Sequence, residues 1–328
     1  MIEEFEPTKE REIKIGINSN VFLEYSLTQE ETFETFEYSV KFLDVFKETG
    51  VKLVRVGASF DAWVLGNKRE QEFDDLYIEE LRKRGFELFL ADTQHQSYLT
   101  KNPLSWNEFK KIHLERIRFY VKRYSPEYYS VVTELLIYHN FNIKDDFDVD
   151  EWVSHTQNLP NVVKEVSSKT KTIVYITADS IPKGGGEYFL KVLDMKNLDI
   201  IGIDFYSAKG FKLTDELLKI SHSQEHKKEL WLPETWYGLT FLCSPQWKEN
   251  LDAKWIEACY NYAKSRNFDA YLPWTFGYFV TYNCEYLGEE IDFSQRTESF
   301  YTFKSLVEGK TKYLWLKEFS VMSRFTIA

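Results

Sequence analysis

Eight short β-branched or apolar runs recur along this chain, and their spacing constrains the fold more than any other feature. They are EIKIGIN (12 to 18), VKLVRVG (51 to 57), FELFLAD (86 to 92), YYSVVTE (128 to 134), KTIVYITAD (171 to 179), LDIIGIDFY (198 to 206), LWLPET (230 to 235) and DAYLPWTF (269 to 276). Most are separated by an amphipathic stretch of roughly 10 to 20 residues. Strand-length runs alternating with helix-length segments predict parallel βαβ units. The segments between them carry helix signals of their own. Thr28 with Glu31, and Ser105 with Glu108, have the spacing of a capping box. Phe33, Phe36, Val40 and Leu43 make one apolar stripe, and Gly50 and Gly85 stand where a left-handed C-terminal cap is wanted.

Eight such units in 328 residues fit one (β/α)8 TIM barrel of the α/β class. An open doubly wound sheet uses the same alternation, but no GxGxxG follows the first run, where the sequence is GINSN. The GGG at 184 to 186 lacks the Lys-Ser/Thr of a P-loop and reads as a loop before a helix. Residues 1 to 328 are therefore expected to form a single domain. The stretch 310 to 328, with Tyr313, Leu314 and Trp315, is expected to pack on the barrel exterior as a C-terminal extension.

Charge and composition exclude some partners. A net charge of -11 repels phosphate backbones, so nucleic acid is not an expected partner. The sequence contains no apolar run of about 18 residues to span a bilayer, and the acidic start MIEEFEPTKE lacks the basic-then-apolar pattern of a signal peptide. A cytoplasmic protein with no membrane partner is expected. Cys243, Cys259 and Cys284 form no CxxC pair and read as free thiols. Aromatic residues are 17% of the chain, more than a core of this size needs, and exposed rings suit stacking on sugars.

In such a barrel the active site sits at the strand C-termini. The polar residues there are Asn18, Arg55, Asp92, Glu134, Asp179, Asp204 with Tyr206, Glu234 and Trp274. Two glutamates end the fourth and seventh runs among apolar neighbours, where an ionised carboxyl is costly unless it is paired or functional. Glu234 therefore reads either as a salt bridge in the barrel mouth or as a reacting group. Glu134 reads either as the start of a helix capped by Thr133 or as its counterpart. Retaining glycoside cleavage needs two carboxyls about 5 to 5.5 Å apart, one to protonate the leaving oxygen and one to attack the anomeric carbon. Strands four and seven, opposed across a barrel, can supply that pair.

This pattern resembles clan A glycoside hydrolases, whose acid/base glutamate ends strand four and whose nucleophilic glutamate ends strand seven. The resemblance extends over the barrel. It implies that Glu134 is the acid/base and Glu234, in PETWYG, the nucleophile. Arg55 in LVRVG and Tyr206 in GIDFYS match residues that support the nucleophile, and Trp274 in LPWTFG matches a platform under the sugar. The chain departs from the clan at Thr133, where most members have an asparagine that binds the sugar 2-hydroxyl. A retaining β-glycosidase acting on a glycoside, oligosaccharide or polysaccharide is implied, with no cofactor and no metal.

Other rim residues belong to the expected substrate-binding set. Asp92 and Asp204, like Asp179, either bind sugar hydroxyls or pair with barrel arginines. His95 lies in the third βα loop as a substrate contact or a surface residue. Trp236 is expected to line the cleft, and Trp63, Tyr98, Tyr138, Tyr237 and Phe279 fall in loops of the same face. The long connection 276 to 296 is a candidate lid. Two other classes remain open: a metal-dependent sugar isomerase or epimerase, disfavoured by the lack of a metal-binding histidine, and a carbohydrate-binding barrel without turnover, for which Thr133 is the main support.

Overall fold

The eight apolar runs are the eight strands of a closed barrel. Strands β1 (Lys14–Ser19), β2 (Leu53–Ser59), β3 (Glu87–Thr93), β4 (Tyr128–Val132), β5 (Lys171–Thr177), β6 (Ile200–Asp204), β7 (Glu229–Leu232) and β8 (Ala270–Tyr271) each arise from one run. Each pairs in parallel with the next, and β8 returns to β1. The computed structural model describes residues 12–19, 29–59, 66, 68–93, 103–221, 228–236, 246–274, 279–283 and 290–310. Around the barrel stand helices α1 (Gln29–Glu48), α2 (Lys68–Lys83), α3 (Trp106–Tyr124), α4 (Leu135–Asn142), α5 (Val149–Thr156), α6 (Leu159–Val166), α7 (Gly185–Val192), α8 (Ala208–Ser221), α9 (Gln246–Ser265) and α10 (Glu298–Val307). Among the described residues no helix is long and apolar enough to cross a membrane.

The local signals act where the sequence places them. Ser105 caps α3, and its backbone N–H donates to the Glu108 carboxylate at 2.9 Å. Gly50 and Gly85 adopt φ of 83° and 80° between a helix and the next strand. The GGG cluster opens α7. Thr28 and the segment from 311 onward lie outside the described residues.

Alternation along the strands sorts side chains into two layers. Leu53, Phe89, Ala91, Tyr128, Ile173, Tyr175, Ile200, Trp231, Ala270 and Leu272 fill the barrel interior as one cluster. Their strand neighbours, such as Val54, Leu90, Val174, Ile201 and Leu232, pack outward under the helices. At the strand N-termini, Lys14 meets Glu87 at 2.6 Å and accepts company from the Tyr128 hydroxyl, to which it donates at 2.7 Å. Lys171 pairs there with Glu229. This end is filled with charged pairs above an apolar interior, so polar groups in search of a ligand must be sought at the opposite end.

After β8 the chain forms an antiparallel hairpin, β9 (Val280–Asn283) with β10 (Glu290–Arg296). Two of its side chains pack on the barrel's outer shell. Phe293 packs edge-on against Phe42 of α1 at 5.0 Å, and Arg296 pairs with Glu48 at the end of α1 at 2.7 Å. Phe279 contacts Phe46, Phe300 and Phe303. The base of the candidate lid is thus a strap across α1 and α10, and Phe279 is a core residue rather than a sugar contact. Apolar packing decides this, because Phe279 is fully buried.

Candidate active site

Following the inward parity to the strand C-termini brings together Asn18 of β1, Arg55 of β2, Tyr175 of β5 and Asp204 of β6. Trp274, beyond β8, joins them: its residue bridges Asn18, and its backbone N–H donates to the Thr235 carbonyl at 2.9 Å. Strand β7 ends at Leu232, and Pro233 and Glu234 carry the chain over the rim. Thr235 is pinned on the far side, donating its hydroxyl to the Phe205 carbonyl at 2.7 Å. Glu234 is thereby held on a short, anchored segment.

Three groups organise Glu234. Arg55 donates to its Oε2, and Asn18 donates to the same oxygen at 2.8 Å. The second arm of the Arg55 guanidinium donates to the Tyr175 hydroxyl. Arg55 is 3% exposed, so this ion pair is shielded from water and stronger than a surface pair. Burial works against the charge on Arg55, but the Tyr175 hydroxyl and the carboxyls of Glu234 and Asp204 around it raise its proton affinity above the ordinary value. Among the described residues no hydrogen bond reaches the other oxygen, Oε1. The salt bridge that is one reading of Glu234 is therefore present, and it engages a single oxygen of the carboxylate.

Glu134 reaches the site by a different route. The β4–β5 register slips between Ser130, opposite Ile173, and Val132, opposite Val174. This irregularity turns Val132 out to the helix layer. Glu134 then adopts φ 47° and ψ 60°, a left-handed conformation costing a non-glycine residue on the order of 1–3 kcal/mol. It stands at the N-cap of α4, in the position that the sequence offered to Thr133. The Tyr206 hydroxyl donates to Glu134 Oε1 at 2.5 Å. This differs from the expectation that Tyr206 supports Glu234. The left-handed turn swings the Glu134 carboxylate toward β6, while Arg55 and Asn18 already hold Glu234 from the β1–β2 side.

Thr133 is 1% exposed and its hydroxyl lies 3.0 Å from that of Ser130. It is spent on the β4 irregularity and does not join the set around the two glutamates. Asp92 also departs from the expected substrate set. The inward residues of β3 are Phe89 and Ala91, so Asp92 points outward and is fully buried under α3. There it pairs with Arg116, accepts a hydrogen bond from Tyr138 at 2.9 Å, and lies 3.4 Å from His113. Tyr138 is therefore a core residue too. Asp179 is exposed on a 3-10 turn after β5. His95, Trp63, Tyr98 and Tyr237 lie outside the described residues.

Rings line the rest of the site. Trp236 stands edge-on to Trp274 at 4.4 Å and to Tyr206 at 6.1 Å, so the three rings form one aromatic wall that meets Glu134 through the Tyr206 hydroxyl. Asn18 was visible in the sequence as a polar strand end but lacked a role. Tyr175 precedes the strand end by two residues, so position does not mark it, and only the inward parity of Ile173 and Tyr175 does. Among the described residues no group of three or more His, Cys, Asp or Glu is arranged to hold a metal ion.

No family model matches the chain, and no curated protein matches it. Solved structures do. One is a β-glucosidase from Thermotoga maritima in complex with deoxynojirimycin, 13% identical, with a TM-score of 0.67 over 94% of this chain and 100% of that one. Another is the virulence factor SghA in complex with its substrate analog salicin, 9% identical, with a TM-score of 0.61 over 92% and 96%. A third is the GH53 catalytic domain of Ignisphaera aggregans, 15% identical, with a TM-score of 0.55 over 81% and 88%. At these identities the likeness is one of fold alone.

Proposed function

We propose that this protein is a retaining β-glycosidase of clan A type, with Glu234 as nucleophile and Glu134 as acid/base. The observation that carries the reading is the division of labour around the two glutamates. Arg55 and Asn18 converge on Oε2 of Glu234, while the Tyr206 hydroxyl serves Glu134. A carboxylate paired with a guanidinium is suited to attack, and its Oε1 is the oxygen left for it. Barrels of the same fold include β-glucosidases and a GH53 domain, both clan A glycoside hydrolases.

In the first step Oε1 of Glu234 attacks the anomeric carbon as the glycosidic bond breaks, and Glu134 gives its proton to the departing oxygen. In the second, Glu134 takes a proton from water, whose oxygen attacks the glycosyl ester and frees Glu234. Arg55 stabilises the carboxylate that is consumed and regenerated. Trp274 and Trp236 present apolar faces to the sugar ring.

The test is turnover of a panel of aryl β-glycosides by wild type, Glu134→Ala and Glu234→Ala. Wild type should cleave at least one member, and Glu234→Ala should lose the chemical step by more than about a thousandfold. Azide added to Glu234→Ala should yield the inverted glycosyl azide. Undiminished turnover in that variant would overturn the nucleophile assignment. Carbohydrate binding without turnover in wild type would instead favour a binding barrel, a reading that the burial of Thr133 keeps in view.

A further inference from the structure

Asp204 is the carboxyl at this site that the proposed chemistry leaves unused. It ends β6 on the inward parity, and none of it is exposed to solvent. Among the described residues, no hydrogen-bond donor reaches either of its oxygens. The charged and titratable groups that face it are Glu134, Glu234, Arg55, Tyr175 and Tyr206. Arg55 is the cation of this set, and its guanidinium is already engaged by Glu234 and Tyr175. The backbone N–H of Glu234 also faces Asp204 and favours its ionised form, without reaching hydrogen-bonding geometry.

An ion buried in such a place lacks both water and a partner, which is far more costly than a buried neutral acid. The charge count leads to the same end. Among the described residues three carboxyls share one guanidinium, so with one of them ionised this set is neutral and with two it carries an uncompensated buried charge. Arg55 and Asn18 both donate to Glu234 Oε2, so the one guanidinium is engaged by Glu234 and not by Asp204.

We infer that Asp204 is a neutral carboxylic acid at neutral pH, a positioning residue that limits the site to a single negative charge. Its role rests on the glycosidase reading: the one charge passes from Glu234 to Glu134 as the glycosyl ester forms, and returns as the ester is hydrolysed. No second anion then stands beside Glu134 in either state. Burial first, then the charges of Glu234 and Glu134, push the Asp204 carboxyl well above the usual carboxylate range, and Arg55 opposes them less strongly.

Infrared difference spectroscopy of wild type against Asp204→Asn at neutral pH reads the protonation directly. The expected result is a protonated-carboxyl C=O band in wild type that is missing from the variant and moves in heavy water. Carboxylate bands in its place overturn the inference. Should Asp204→Asn fail to fold, wild type carrying aspartate isotopically labelled at the γ-carboxyl gives the same reading, because the band must move on labelling. Folding stability supplies a second readout. A raised native pKa means that stability is lost as pH rises above the unfolded value of about 3.9. The folding equilibrium of Asp204→Asn relative to wild type should therefore grow about tenfold per pH unit from about pH 4 to about pH 7. A difference that stays flat with pH overturns the inference. Neither measurement needs turnover. A protonated Asp204 in a protein that cleaves no glycoside defeats the glycosidase reading alone, and turnover with an ionised Asp204 defeats this inference alone.

Discussion

At the scale of the residue, the two glutamates differ in how they are held, and the difference has kinetic consequences. Glu234 is held through one oxygen by a buried cation and an amide, whereas Glu134 sits on a strained backbone and accepts from the Tyr206 phenol. Tyr206 should therefore act on proton transfer more than on attack. Replacing Tyr206 with Phe removes one hydrogen bond to a carboxyl, worth about 1.5–3 kcal/mol, or roughly tenfold to a hundredfold in rate. Aryl glycosides with poor leaving groups, which need protonation, should lose that much. Those with good leaving groups should lose little in the glycosylation step. Equal losses across the series, measured as kcat/KM against leaving-group pKa, would place Tyr206 with the nucleophile instead. The sequence pointed to Tyr206 by its position after strand six, but a phenol two residues past a strand end can reach either side. Only the left-handed turn at Glu134 decides which, and a non-glycine residue with positive φ leaves no trace in composition or periodicity.

At the scale of the element, the strands were legible because eight apolar or β-branched runs alternate with stretches of helix length, some of which carry capping signals of their own. The outward orientation of Asp92 was also latent in that pattern, since Phe89 and Ala91 occupy the inward places on β3. Position at a strand end does not by itself reveal that orientation. The β4 irregularity was not legible, because one slipped residue depends on how β4 meets β5 rather than on its own side chains. Packing inside the barrel is tight enough to transmit such details to the site. Gly202 on β6 faces Tyr175 and Pro233, and a Cβ there would lie 2.8 Å from the Tyr175 Cβ and 2.9 Å from the Pro233 Cγ. Gly202→Ala must displace one of them, at a cost of about 1–3 kcal/mol. Tyr175 carries one arm of Arg55, and Pro233 adjoins Glu234. Chemical denaturation should show that loss of stability, and kcat should fall even under conditions where the variant is fully folded. A stability loss with unaltered kcat would detach the barrel interior from the site.

At the scale of the whole molecule, the helices that enclose the barrel bring a pH dependence unrelated to catalysis. His113 of α3 and His155 of α5 face each other with ring nitrogens 3.1 Å apart, in a buried layer shared with Asp92 and Arg116. Burial lowers the His113 pKa to about 3, and burial with the neighbouring His113 lowers that of His155 to about 2. Both rings are neutral in the folded state at pH values where the unfolded chain binds protons. Stability should therefore fall as pH drops below about 6.5, by up to about 1.4 kcal/mol per pH unit for each ring. Asp204 has the opposite sign, so single variants are needed to separate the two. Urea unfolding of His155→Gln between about pH 6.5 and about pH 5 should show a shallower decline than wild type, and an unchanged slope would mean that His155 is charged when folded. Fold and rim were readable over the whole chain because eight units repeat one physical pattern. The buried histidine layer was not, because a histidine in a helical segment reads equally well as surface or core. The account as a whole depends on Glu234 being the residue that bonds to sugar. The direct measurement is to incubate the protein with an activated glycoside fluorinated next to the anomeric carbon, which slows release of the glycosyl-enzyme, then to digest it and map the labelled peptide. One added glycosyl group, attached to Glu234, is expected. A label on any other residue, or steady turnover of ordinary glycosides with no covalent adduct, would contradict it.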